Sequence, residues 1–209
     1  GAITGAQGAV VMGVKEGGAE KASLNLNNVT YAPGAPISGQ GTIAVTDDIC
    51  AFEGTEYTLF LAASSGGNVE FAEDELQKVD GTLILRLDKE GAPLVQGTFT
   101  AAYDATQGTE AQVSGEGTVS ILSELPMTPE GMEHSFVLMP SDGIQCSFKD
   151  SALEKIAGQF NVRVDDGAGE FIQASINGEY IHGNEPNFTG TGSIQVTRDT
   201  QLGEDVAGY

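Results

Sequence analysis

The chain of 209 residues carries thirty acidic and nine basic side chains, a net charge of −21, with 29 glycines and no tryptophan. A field of that sign repels phosphate backbones and anionic membranes, so nucleic acid and lipid surfaces are poor partners, and neither nucleic-acid binding nor membrane insertion is expected. No apolar run approaches the length of a membrane-spanning helix, and no basic-apolar-small leader is present.

The chain opens on a small, glycine-rich stretch in which Ala9, Val10, Val11, Met12 and Val14 precede the first charge, Lys15. These residues read as a strand, followed by a Gly-Gly turn and a second strand over 22–31. Next comes SGQGTIAV at 38–45, a strand that begins with Gly-x-Gly. Glycine weakens a strand interior, so here it marks a bulge, a bend or a close backbone approach. A phosphate loop is rejected, because no helix and no Lys-Ser/Thr follow. Asp47 and Asp48 come directly after, and 57–63 is a further strand. Residues 73–79 carry apolar groups at helical spacing and are expected to form a short helix, as are 151–157.

From there the chain repeats itself at an offset of 77 residues. Phe71, Leu76, Lys78, Gly81, Arg86 and Asp88 recur as Phe148, Leu153, Lys155, Gly158, Arg163 and Asp165. The Gly-x-Gly strand returns as SGEGTVSI at 114–121 and as TGTGSIQV at 189–196. The expected organisation is unit one at 1–80 with the N-terminal strand, unit two at 81–157, and a partial unit three with a tail at 158–209. Unit three holds no counterpart of 56–64 or 133–141. About a dozen alternating strands and minimal helix predict an all-β fold. The expected form is an internally repeated antiparallel β-sandwich, one large or two small. A closed barrel is second choice, and an outer-membrane barrel is disfavoured by the absence of aromatic girdles.

Chemistry is sparse. The motifs of serine hydrolases and zinc proteases are absent, and His134 and His182 lie at unrelated repeat positions, so no enzyme is expected. Asp165, Asp166 and Glu170 share one hairpin turn, and with Asp47 and Asp48 they are the candidate calcium ligands, since calcium takes carboxylates in glycine-bearing turns. The bland alternative is solvent-facing turn residues. Cys50 and Cys146 are expected to pair in an oxidising compartment, adding roughly 3–5 kcal/mol by closing a long loop. Asn28 and Asn187 head glycosylation sequons.

An incomplete third copy leaves a sheet position to fill, from within or from a neighbour. The uncharged segment Ala9–Val14 is the candidate assembly strand. The expectation is therefore an acidic, extracellular or cell-surface structural or adhesive subunit. It self-assembles into a filament or tube by β-strand exchange, with calcium as candidate stabiliser. The alternative is a monomeric cell-surface binding module for carbohydrate or protein.

Overall fold

A computed structural model describes residues 5–36, 38–73, 75–105, 112–127, 134–150, 152–182 and 187–199. Among these described residues there are fifteen strands. Unit one supplies β1 (Ala6–Glu16), β2 (Ala19–Tyr31), β3 (Ser38–Val45), β4 (Ile49–Glu53), β5 (Tyr57–Leu61) and β6 (Gly66–Ala72). Unit two supplies β7 (Glu75–Lys89), β8 (Ala92–Asp104), β9 (Gln112–Ile121), β10 (Leu125–Pro126), β11 (Ser135–Leu138) and β12 (Ser141–Lys149). The third series has β13 (Ala152–Asp165), β14 (Glu170–Ile181) and β15 (Asn187–Val196).

The all-β, antiparallel class is what the structure shows. The sandwich division expected within it is not confirmed: the hydrogen bonding joins all fifteen strands into one branched sheet. The main path runs β1-β2-β3-β6-β7-β8-β9-β12-β13, and β14 and β15 extend it beyond β13. Long strands let it branch. β7 pairs β6 with its first half and β5 with its second. β13 does the same with β12 and β11. Each branch carries a short flap, β4-β5 or β10-β11.

The two predicted helices are strands, and the repeat boundaries at 80/81 and 157/158 fall inside β7 and β13. The cause is a β-bulge at the same place in both units. Phe71 faces Leu76 while Glu70 faces Lys78, so Gln77 is the extra residue. Phe148 faces Leu153 while Ser147 faces Lys155, so Glu154 is extra. One inserted residue turns an i, i+2 alternation into i, i+3, which imitates a helix.

Hairpin turns follow from the glycines. Gly17 and Gly18 lie between the paired Glu16 and Ala19 with φ of 58° and 88°. Glu90 and Gly91 repeat this between Lys89 and Ala92 at 50° and 82°. Two positive φ values in a two-residue loop match the twist of the flanking strands. The core lies on one face: Leu26, Val29 and Val69 are buried, with Leu24, Ile43, Phe71 and Val79 against them.

That face is built in rows. Leu26, Gly41, Val69 and Val79 stand in line across β2, β3, β6 and β7. Phe99, Gly117, Cys146 and Ile156 form the counterpart across β8, β9, β12 and β13. Of the bulge, bend or close approach that their sequence allowed, the Gly-x-Gly strands show the close backbone approach. A Cβ on Gly41 would fall on the carbonyl oxygen of Asn25, and one on Gly117 on that of Thr98.

Candidate functional site

The sheet has two outermost strands on its long path, and they are unlike ordinary edges. β1 is hydrogen-bonded only to β2, and β15 only to β14, among the described residues. No side chain from Ala6 to Val14 or from Asn187 to Val196 is charged. Natural edge strands usually carry charge, proline or a bulge that blocks addition of another chain. β1 does have register shifts between Gly8 and Val10 and between Val14 and Lys15 and ends in the charged pair Lys15 and Glu16, but before them Val10, Val11, Met12 and Val14 are all exposed. β15 is exposed at every position, Ile194 at 73%.

The exposure of β15 is a property of its place, not of its composition. The last residue of the Gly-x-Gly strand is Val45 in unit one, Ile121 in unit two and Val196 in unit three. The first two are 6% and 5% exposed and the third is 64%. Val45 is closed over by the β5–β6 connection, through hydrogen bonds with Ser64 and Ser65. Ile121 is covered by Ser141 at the start of β12. Val196 has no such strand among the described residues.

Joins between units have a polar latch that sequence reasoning missed. Arg86 on β7 donates to Asp88 at 2.8 and 3.1 Å and to Asp48 at 2.6 Å, so unit two holds the loop after β3. Arg163 on β13 repeats this with Asp165 and with Glu124 at 2.7 and 2.9 Å, holding the loop after β9. The signal was present in the Arg-x-Asp that recurs at offset 77, together with an acid after each Gly-x-Gly strand. Asp48 is held below the usual carboxylate range, first by the backbone N–H of Ala63 and then by Arg86. Glu124 is lowered by its hydrogen bonds from Arg163.

The candidate calcium ligands are drawn into such contacts. Asp47 accepts from Lys21 at 2.7 Å, which lowers its pKa and raises that of the lysine. Asp166 accepts from Arg198 at 2.5 Å. Asp165 and Asp48 serve the two arginine latches. Among the described residues no three acidic, histidine or cysteine side chains converge on one point.

The expected disulfide is not formed. Cys50, exposed on β4, and Cys146, on β12, are both free thiols. Four strands, β5, β7, β8 and β9, lie between theirs along the ladder. Burial pushes the Cys146 thiol up. Asn28 is exposed at positive φ in β2, and Asn187 is exposed at the start of β15. His134 packs on the Phe171 ring, and His182 lies 3.3 Å from the Tyr180 hydroxyl.

An apolar depression of about 280 Å³ lies over Gly66 and Gly81 and is walled by Ile43, Leu61, Val79, Leu83 and Tyr103. No helix of the described residues is long and apolar enough to cross a membrane. Compared with known protein families, curated proteins and solved structures, the chain matches none.

Proposed function

We propose that this chain is an extracellular, non-catalytic structural subunit that adds to copies of itself through its sheet edges, forming a filament or tube. The observation that carries this reading is the pair of outermost strands, uncharged over 6–14 and 187–196 and hydrogen-bonded on one side only among the described residues. Such an edge is a template for another strand. Because β1 is paired at home with β2, edge addition suffices, and no strand need leave its own molecule. Calcium enters this reading as a bridging counter-ion between the acidic surfaces of neighbouring copies.

The test is electron microscopy of the full chain, with calcium and with a chelator, beside its light-scattering mass. Regular filaments or tubes support the reading, and their loss in chelator supports the calcium bridge. A 21.6 kDa monomer under both conditions removes it. The alternative, a monomeric surface module for carbohydrate or protein, is favoured by one feature, the apolar depression beside Tyr103. A monomer that binds an apolar fluorescent probe there, with the signal lost in Leu83→Asp, would support that reading.

A further inference from the structure

The geometry points to a specific joint, resting on the self-assembly reading. β1 of one copy takes, on β15 of the next, the place that β6 takes on β3 and β12 takes on β9.

The third strand of each unit is notched on its apolar face. In β3, Gly39, Gly41 and Ile43 face Phe71, Val69 and Gly67 of β6. In β9, Gly115, Gly117 and Val119 face Phe148, Cys146 and Ile144 of β12. The Phe148 ring lies 2.9 Å from where a Cβ on Gly115 would stand, so the ring occupies space that only glycine leaves. In both β3 and β9 the largest side chain of the incoming antiparallel strand stands in register with the first glycine.

β15 offers the same series in Gly190, Gly192 and Ile194, with nothing against it among the described residues. β1 carries the matching series. Gly8, Val10 and Met12 repeat the small, medium and large grading of Gly67, Val69 and Phe71. With Gly8 opposite Ile194, Val10 opposite Gly192 and Met12 opposite Gly190, the row across the joint reads Ile176, Gly192, Val10, Leu26. Within one chain Ile176 already faces Gly192, and Val10 already faces Leu26. The row then copies Leu26, Gly41, Val69, Val79 and its counterpart in unit two.

The joint therefore continues the sheet as the fold already does twice internally, and β1 keeps β2 on its other side. It uses different surfaces on the two copies. Such a contact propagates head to tail instead of closing.

The experiment blocks each end separately in the full chain. Val10→Lys spoils the β1 face of the joint, and Ile194→Lys spoils the β15 face. Val11→Lys and Gln195→Lys place the same charge on the opposite face and serve as controls. Gly8→Val is a second β1 variant, since a Cβ there has no neighbour within 4 Å in the free subunit. Circular dichroism checks that each variant is folded. Val10→Lys and Ile194→Lys are each expected to be monomers by light scattering, with both controls assembling like the parent. Gly8→Val is expected to assemble less than the parent. An equimolar mixture of the two blocked variants is expected to stop at a dimer, because one free β1 meets one free β15. Parental filaments together with a mixture that stays monomeric, or with either blocked variant dimerising alone, would overturn this joint while leaving self-assembly standing. A monomeric parent would overturn both.

Discussion

Arg86 and Arg163 are repeat counterparts, yet their replacement by glutamine is expected to have different consequences. The Asp88 side chain is 6% exposed and receives two hydrogen bonds from Arg86. Arg86→Gln leaves that carboxylate buried without its cation. Breaking a buried pair from one side costs about 3–5 kcal/mol. Water reaches the outer part of this cluster, since the Arg86 and Asp48 side chains are 23% and 28% exposed. The low end, about 3 kcal/mol, is therefore the expected loss. Around Arg163 the partners are wetter, with Asp165 at 23% and Glu124 at 48%. That arrangement is close to a surface ion pair, and Arg163→Gln should cost ~1 kcal/mol or less. The assay is equilibrium urea unfolding followed by far-ultraviolet circular dichroism. With a slope of about 2 kcal/mol per molar, the midpoints fall by ~1.5 M and ~0.5 M. The double replacement Arg86→Met with Asp88→Leu should recover most of the loss, because no charge is left stranded. Equal losses for the two arginines, or less than about 1 kcal/mol for Arg86→Gln, would refute the assignment of the difference to burial.

Asp48 has a folded pKa below its unfolded value, so its stabilisation is complete above the ordinary carboxylate range and is lost as pH falls through the folded pKa. The melting temperature of the parent should thus fall more between pH 5 and pH 3 than that of Asp48→Asn, and parallel curves would contradict this. Native Cys50 should react quickly with a thiol reagent and Cys146 slowly, with two alkylated thiols per chain after denaturation without reductant. A single pair of protected cysteines in that last step would show a bridge. Gly117→Ala should lower stability by about 3 kcal/mol or more, because its Cβ meets the Thr98 carbonyl and β8 and β9 must part. Gly13→Ala meets only the flexible end of Glu20 and should change stability by less than ~1 kcal/mol in the same thermal melts.

Much of the sheet was legible in the sequence because strand alternation is a local signal. The hairpins β7-β8 and β13-β14 follow from apolar odd positions in one and even positions in the other, broken at glycine turns. The Gly-x-Gly strands were legible as close approaches for a similar reason, since a glycine in a strand has few other uses. What misled were single insertions. Gln77 and Glu154 each shift the alternation by one residue, and a local window cannot separate that from a helical turn. β4 and β10 escaped notice because ICAFE is exposed at four of its five positions and β10 has two residues, too little for any period to register. The acidic turns looked like metal ligands because the cations that meet them are distant in sequence: Lys21 lies 26 residues from Asp47 and Arg198 lies 32 from Asp166. The openness of β15 was foreshadowed only by the missing counterpart of β5 and β6. Its measure, the contrast of Val196 with Val45 and Ile121, needed coordinates.

A net charge of −21 would ordinarily argue against self-association, and the position of the neutral strands answers that objection. In a joint between β15 and β1 in that register, residues 8–14 and 188–194 meet without a charge, Lys15 and Glu16 at the end of β1 are of opposite sign and cancel, and the next charged residues inward are Glu179 on β14 and Glu20 on β2. Three strand spacings separate those strands, about 14 Å at ~4.8 Å each. The screening length at physiological ionic strength is ~8 Å, so like charges at that separation are attenuated to roughly a fifth. In water an unscreened pair at 14 Å repels by about 0.3 kcal/mol, and the screened value is below ~0.1 kcal/mol. Two stacked subunits meeting face to face would bring their carboxylates far closer. The charge therefore penalises contact between faces while leaving contact between edges almost unpenalised, which selects linear growth over disordered aggregation.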